Sequence, residues 1–123
     1  MLSVAVMVAL MQVFTYTSFA GVLSLEQFHF DKILHFGAGV SCGIFGCYLS
    51  AVLGDKENNQ RIIFSALATA LAIGVLWEIF EHLWPEVNGG THDYFSLDTK
   101  LDIIFDCTGG LIASLFYKTK NIK

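Results

Sequence analysis

Four long stretches of this chain carry so little charge that a bilayer is the solvent that suits them best. The first, Leu2 to Leu25, has no charged side chain. The second runs from Ile33 to Leu53 and follows Asp31-Lys32. The third, Ile62 to Leu76, is extended by Trp77-Glu78-Ile79-Phe80-Glu81-His82-Leu83-Trp84. The fourth, Leu101 to Tyr117, is interrupted only by Asp102 and Asp106. Roughly 20 apolar residues span the hydrocarbon as a helix. A backbone in lipid must satisfy its own N–H and C=O groups, so helix is nearly forced.

Composition supports that reading. The chain is 54% hydrophobic and 15% charged, where an ordinary soluble domain is about 25% charged. A soluble fold of 123 residues could not hide that much apolar surface in its own core. The expected fold is all-α: one polytopic membrane domain over residues 1–123, a bundle of four transmembrane helices at about 2–25, 31–53, 61–84 and 99–117. The connections are short. Gly54 to Gln60 is polar, and Asn88-Gly89-Gly90 is a turn signal. Ser18-Phe19-Ala20 loosely fits a signal-peptidase site, but the positive n-region is missing and the run is long, which favours a retained helix.

Charge placement gives an orientation. With four spans, Lys56, Arg61, Lys118, Lys120 and Lys123 share a side, and only Lys32 and Lys100 face the other. The positive-inside rule then puts both termini in the cytoplasm. A net charge of −4 argues against nucleic acid, which needs clustered basic residues. Cys42, Cys47 and Cys107 all fall in apolar runs without a Cys-x-x-Cys spacing, and read as packing residues.

The ionisable residues gather at one end of the expected bundle, the end toward the outer leaflet. Asp31 and His35 are one turn apart. Glu78 lies one turn from Glu81 and His82. Asp98, Asp102 and Asp106 form an i, i+4, i+8 ladder. Residues at these spacings share a helix face. The same faces continue as small residues: Gly39 and Gly43, then Gly74, Ala70 and Ala66, then Gly109, Gly110 and Ala113. Small residues four apart let membrane helices approach closely. The three acidic faces are therefore expected to point at one another, with Gly39-x-x-x-Gly43 packing inside the bundle; its alternative use is a homo-oligomer contact.

Several carboxylates so close together cannot all stay charged unless a cation neutralises them. Intramembrane ionisable groups usually mark function. Carboxylates and imidazole on facing helices are the raw material of bundle metal centres. The candidate ligands of a divalent metal are His35, Glu78, Glu81, Asp102 and Asp106. Asp31 is placed to orient His35. Glu78 and Asp106 are the candidate catalytic carboxylates, one of them acting as general base on water. Asp31, Lys32 and His82 are assigned to substrate binding, and Asp98 to the interface. The bland alternative is a hydrogen-bonded network that fixes helix register. The chain has no P-loop, Gly-x-Ser-x-Gly or Gly-x-Gly-x-x-Gly.

With these residues in view, the chain resembles the VanZ-like group of small bacterial membrane proteins. The matching pieces are Asp31-Lys32-Ile33-Leu34-His35-Phe36, Trp77-Glu78-Ile79-Phe80-Glu81 and Asp102-Ile103-Ile104-Phe105-Asp106-Cys107-Thr108-Gly109-Gly110. Asp106 stands where such proteins often have Asn, which adds a charge here. The resemblance implies an envelope protein of the bacterial inner membrane with an acid–histidine cluster. VanZ-like proteins are associated with reduced susceptibility to a lipophilic glycopeptide antibiotic.

Three function classes follow. The first is a metal-dependent enzyme acting on a membrane lipid or lipid-linked head group. The second is a non-catalytic envelope or lipid-binding protein whose cluster is structural or grips a ligand. The third is a proton- or cation-coupled transporter, disfavoured because the inner half has almost no polar groups. A cavity there lined by Ser41, Ser65 or Thr69 would revive it.

Overall fold

The computed structural model describes residues 30–53, 58–83 and 97–121. They form three helices: α1 (Phe30–Val52), α2 (Asn59–Leu83) and α3 (Leu97–Asn121). These are the second, third and fourth runs of the sequence. The expected helix over 2–25 lies outside the described residues, so the four-helix count is a reading of the sequence. The observed limits fall within two residues of those expected, except that α3 continues to Asn121. The added segment, Lys118-Thr119-Lys120-Asn121, is polar but rich in lysine, which has a high helix propensity.

Local chemistry fixes the helix starts. Asn58 caps α2: its side-chain oxygen accepts from the Arg61 N–H at 3.2 Å, and its carbonyl accepts from the Ile62 N–H at 3.0 Å. Asp31 and Asp98 sit in the first turns of α1 and α3, where the helix dipole favours negative charge. α1 (over Asp31–Val52) and α2 are each long and apolar enough to cross a membrane. α3 matches α2 in length, at 25 residues, but carries Asp98, Lys100, Asp102 and Asp106 near its start. Composition alone therefore does not mark it as a span.

All three helices pack on one another pairwise, and the bundle is inverted relative to a water-soluble fold. Its large apolar side chains face outward: Leu53, Phe64 and Phe116 are each more than 70% exposed. Apart from Ile62, its buried side chains are small or polar: Ala66, Ala70, Ala113, Ser114, His35, Asp102 and Asp106 are all buried. Facing lipid, such an exterior needs no cover.

Glycine sets the helix spacing. A side chain at Gly39 would collide with the backbone of Asp106, and one at Gly109 with the backbone of Phe36 and Val40. A Cβ at Gly43 would lie 2.7 Å from the Gly110 Cα and 2.9 Å from the Ala113 Cβ. Gly39 and Gly43 thus seat α1 on α3 within one chain. The hydroxyls along the helices are mostly consumed locally. Ser41, Thr69 and Thr108 each donate to the carbonyl four residues earlier, at 2.7–3.0 Å. Ser65 Oγ instead crosses to the Gly46 carbonyl of α1 at 2.8 Å.

Candidate functional site

The starts of α1 and α3 and the end of α2 meet at one end of the bundle and bring the expected acids together. Lys32 stands at the centre of an ionic group. Its ammonium donates to Asp31 Oδ2 at 3.0 Å, Asp98 Oδ1 at 2.5 Å and Asp102 Oδ1 at 2.6 Å. Asp98 is the outermost partner and is more than half exposed, while Asp102 is buried.

His35 lies one turn deeper, only 2% exposed. Its Nδ1 is 3.1 Å from Asp106 Oδ2. Its Nε2 faces three further carboxylates: Asp31 Oδ1 at 3.7 Å, Glu78 Oε1 at 3.9 Å and Asp102 Oδ1 at 3.9 Å. These separations exceed a hydrogen bond. Glu78 Oε1 is itself buried and accepts no hydrogen bond. Asp31, His35 and Asp102 form a group that could hold a metal ion, each offering one ligand atom within 4.8 Å of the others.

Asp106 occupies the tightest point of the bundle. The α1 glycine facing it, Gly39, admits its backbone, and a Cβ on Gly74 of α2 would overlap its carboxylate. Two helices thus give up their side chains so that one carboxyl group can reach the imidazole. Asp31 is not what orients His35, contrary to the sequence expectation. Asp31 stands on the Nε2 side, and Asp106 holds Nδ1 from another helix.

The remaining expected site residues separate. Glu81 is not part of the trio and accepts from the Trp77 indole N–H at 2.8 Å. His82, assigned to substrate binding, is half-buried one turn beyond Glu78 and does not join the metal-capable group. Asp98, assigned to the interface, is a Lys32 partner; its place four residues before Asp102 is the signal that could have found it. The Trp77–Glu81 pair also follows i,i+4 spacing.

Charge does not balance here. Five carboxylates (Asp31, Glu78, Asp98, Asp102 and Asp106) surround one lysine and one histidine. Burying that excess is costly without protons or a further cation. The half toward the α1–α2 connection has no such cluster among the described residues. It does carry a groove of about 620 Å³ lined by Ser65 and Thr69. That groove opens beside exposed Phe64 and Ile73 and is lined by no residue of the cluster, so it does not connect the polar layer to the opposite side.

No curated protein and no solved structure matches the chain. The match to the family model described as "Predicted membrane protein (DUF2238)" runs over residues 1–121, nearly the whole sequence, and agrees with the outward apolar faces and with two helices long and apolar enough to cross a membrane: the chain belongs to the predicted membrane protein family DUF2238.

Proposed function

We propose that the cluster is a divalent-metal site at the outer-leaflet end of a small bacterial inner-membrane protein, with both termini cytoplasmic, acting on a lipid or lipid-linked head group. The observation that carries this reading is the two-sided environment of His35. One ring nitrogen is held by a buried carboxylate, and the other faces three carboxylate oxygens at 3.7–3.9 Å without bonding to them. Ligands about 2.1 Å from a tetrahedral metal stand roughly 3.4 Å apart. The ring nitrogen lies a few tenths of an ångström farther than that from Asp31 and Asp102, and all three ligand atoms lie within 4.8 Å of one another, so they must draw together to seat an ion. Imidazole ligands ordinarily give their second nitrogen to a carboxylate, which is the part Asp106 plays here.

In this reading Asp31, His35 and Asp102 are the ligands and Glu78 Oε1 stands next to them. A divalent ion supplies Lewis acidity toward a phosphoryl or carbonyl oxygen. Glu78 is the carboxylate placed to take a proton, Asp106 positions His35, and Lys32, assigned to substrate binding from the sequence, balances part of the acidic charge. Glu81 and His82 fall outside the ligand set. The VanZ-like resemblance supports an envelope setting.

The test is elemental analysis of detergent-purified protein beside His35→Ala, Glu78→Gln and Asp106→Asn. Near-stoichiometric metal is expected in the unaltered protein and none in His35→Ala. Asp106→Asn is expected to weaken binding about 10–100-fold, the usual cost of losing a ligand's orienting partner. Metal-free protein in every sample would sink the reading.

One observation favours a second reading, a non-catalytic network that is structural or grips a ligand. Lys32 already makes three ion pairs in the cluster, one of them with Asp102 Oδ1. Under that reading the lysine is the permanent counter-ion, and adding metal leaves the melting temperature unchanged.

A further inference from the structure

The groove between α1 and α2 starts near the α1–α2 connection and runs along α2 as far as Ile73, the residue before Gly74, and its chemistry is graded along its length. Arg61 lies at one end, two residues into α2 and beside the polar Asn58 cap. Exposed Phe64 and Ile73 form apolar walls, and Ala68 and Ala72 leave the space between them open. From Arg61 to Ile73 is about 18 Å along the helix. That is close to half of the roughly 30 Å hydrocarbon thickness. The groove therefore runs from a membrane surface to near the midplane, with its one charge at the surface end.

Ser50 gives the second, independent observation. It lines the same groove from the last turn of α1 and is 3% exposed, and its hydroxyl has no hydrogen-bond partner. The other hydroxyls of the groove are committed: Ser65 donates to the Gly46 carbonyl and Thr69 to the Ser65 carbonyl. Of the three, only Ser50 is a donor without an acceptor, and a buried donor left bare is costly. A ligand that offers an oxygen at that point would satisfy the Ser50 donor, and one that carries negative charge would complement the guanidinium of Arg61 at the groove's end. A membrane helix has spent its backbone carbonyls on itself. A glycerophospholipid carries ester and phosphate oxygens at this depth and an acyl chain below them.

We propose that this groove is a binding site for one anionic phospholipid of the leaflet on the side of the α1–α2 connection. Its phosphate meets Arg61, an ester or phosphate oxygen accepts from Ser50, and an acyl chain lies over Ala68 and Ala72 between Phe64 and Ile73. The site shares no residue with the proposed metal centre and does not depend on it.

The experiment is native mass spectrometry of the full chain released from vesicles of equal phosphatidylglycerol and phosphatidylcholine. The expected result is one retained phosphatidylglycerol, preferred about fivefold, the effect of one basic side chain near an anionic lipid. Arg61→Gln should remove the preference. Ser50→Ala should lower retention of both lipids. Ala68→Trp, which fills the groove from a lipid-facing position, should abolish retention with the helix content unchanged. Equal retention of the two lipids by the unaltered protein would overturn the proposal, as would undiminished phosphatidylglycerol on Ala68→Trp. A photo-crosslinker at position 68 supplies the last arm. Capture of lipid supports the site; capture of residues 2–25 of the same chain, or of a second copy, overturns it.

Discussion

The two ends of this bundle are held together by opposite means. Toward the α1–α2 connection, the helices meet through Gly43, Gly46, Ala66, Gly110 and Ala113, and backbone lies nearly against backbone. Toward the α2–α3 connection, long charged side chains fill the same interior, and Lys32, His35, Glu78 and Asp102 bridge the gaps that small residues close elsewhere. Packing is tolerant of chemistry and intolerant of volume. Charge pairing is tolerant of small shifts and intolerant of a missing partner. Each end should therefore fail in its own way.

The largest effect is expected at the charged end. Asp102→Ala removes a carboxylate that is 4% exposed and paired to Lys32. Breaking a buried pair from one side costs about 3–5 kcal/mol, read as a fall in the denaturant midpoint in detergent. Asp102→Leu, which restores volume but not charge, should recover little of that loss, because Lys32 then keeps only the more exposed Asp31 and Asp98. An Asp102→Leu protein as stable as the unaltered one would mean that packing, not charge, holds this end too. The packed end gives the next effect. Gly43→Leu must push α3 away and should cost about 1–3 kcal/mol, while Gly43→Ser should cost less. An equally stable Gly43→Leu protein would erase the distinction. The smallest effect is at Ser65, whose bond to Gly46 crosses between helices. Ser65→Ala should cost about 0.6 kcal/mol, the average for such bonds in membranes.

The amino-acid order makes some of this legible and leaves some hidden, for identifiable reasons. The runs 31–53 and 61–84 are visible because about 20 residues with scarcely a charge suit a bilayer and little else. The acid end is visible because i,i+4 spacing fixes which residues share a face. Spacing within one helix says nothing about rotation between helices, and the misassignments arise there. His35 and Asp31 are one turn apart, which makes Asp31 the natural choice to orient the ring, yet Asp106 of α3 reaches Nδ1. Glu81 falls among the expected metal ligands by its distance to Glu78. It answers instead to Trp77, whose indole needs an acceptor. Lys32 as the joint partner of Asp98 and Asp102 depends on the register of α1 against α3. That register is set by Gly39 and Gly109 approaching the opposing backbones, a geometry that no local pattern encodes.

The lysine's early place in the chain bears on how the protein is made. α3 brings Asp98, Asp102 and Asp106, and each acid resists entering hydrocarbon by about 2.5–3.5 kcal/mol when centrally placed. Ribosomal synthesis delivers α1, and with it Lys32 and His35, well before α3; the Lys32–Asp102 pair spans 70 positions. The counter-charge is thus made before the acids emerge. If α3 spans the bilayer, as the sequence leads us to expect, its integration is coupled to that of α1, and a copy of α3 synthesised alone would lack the groups that make its passage into the membrane favourable.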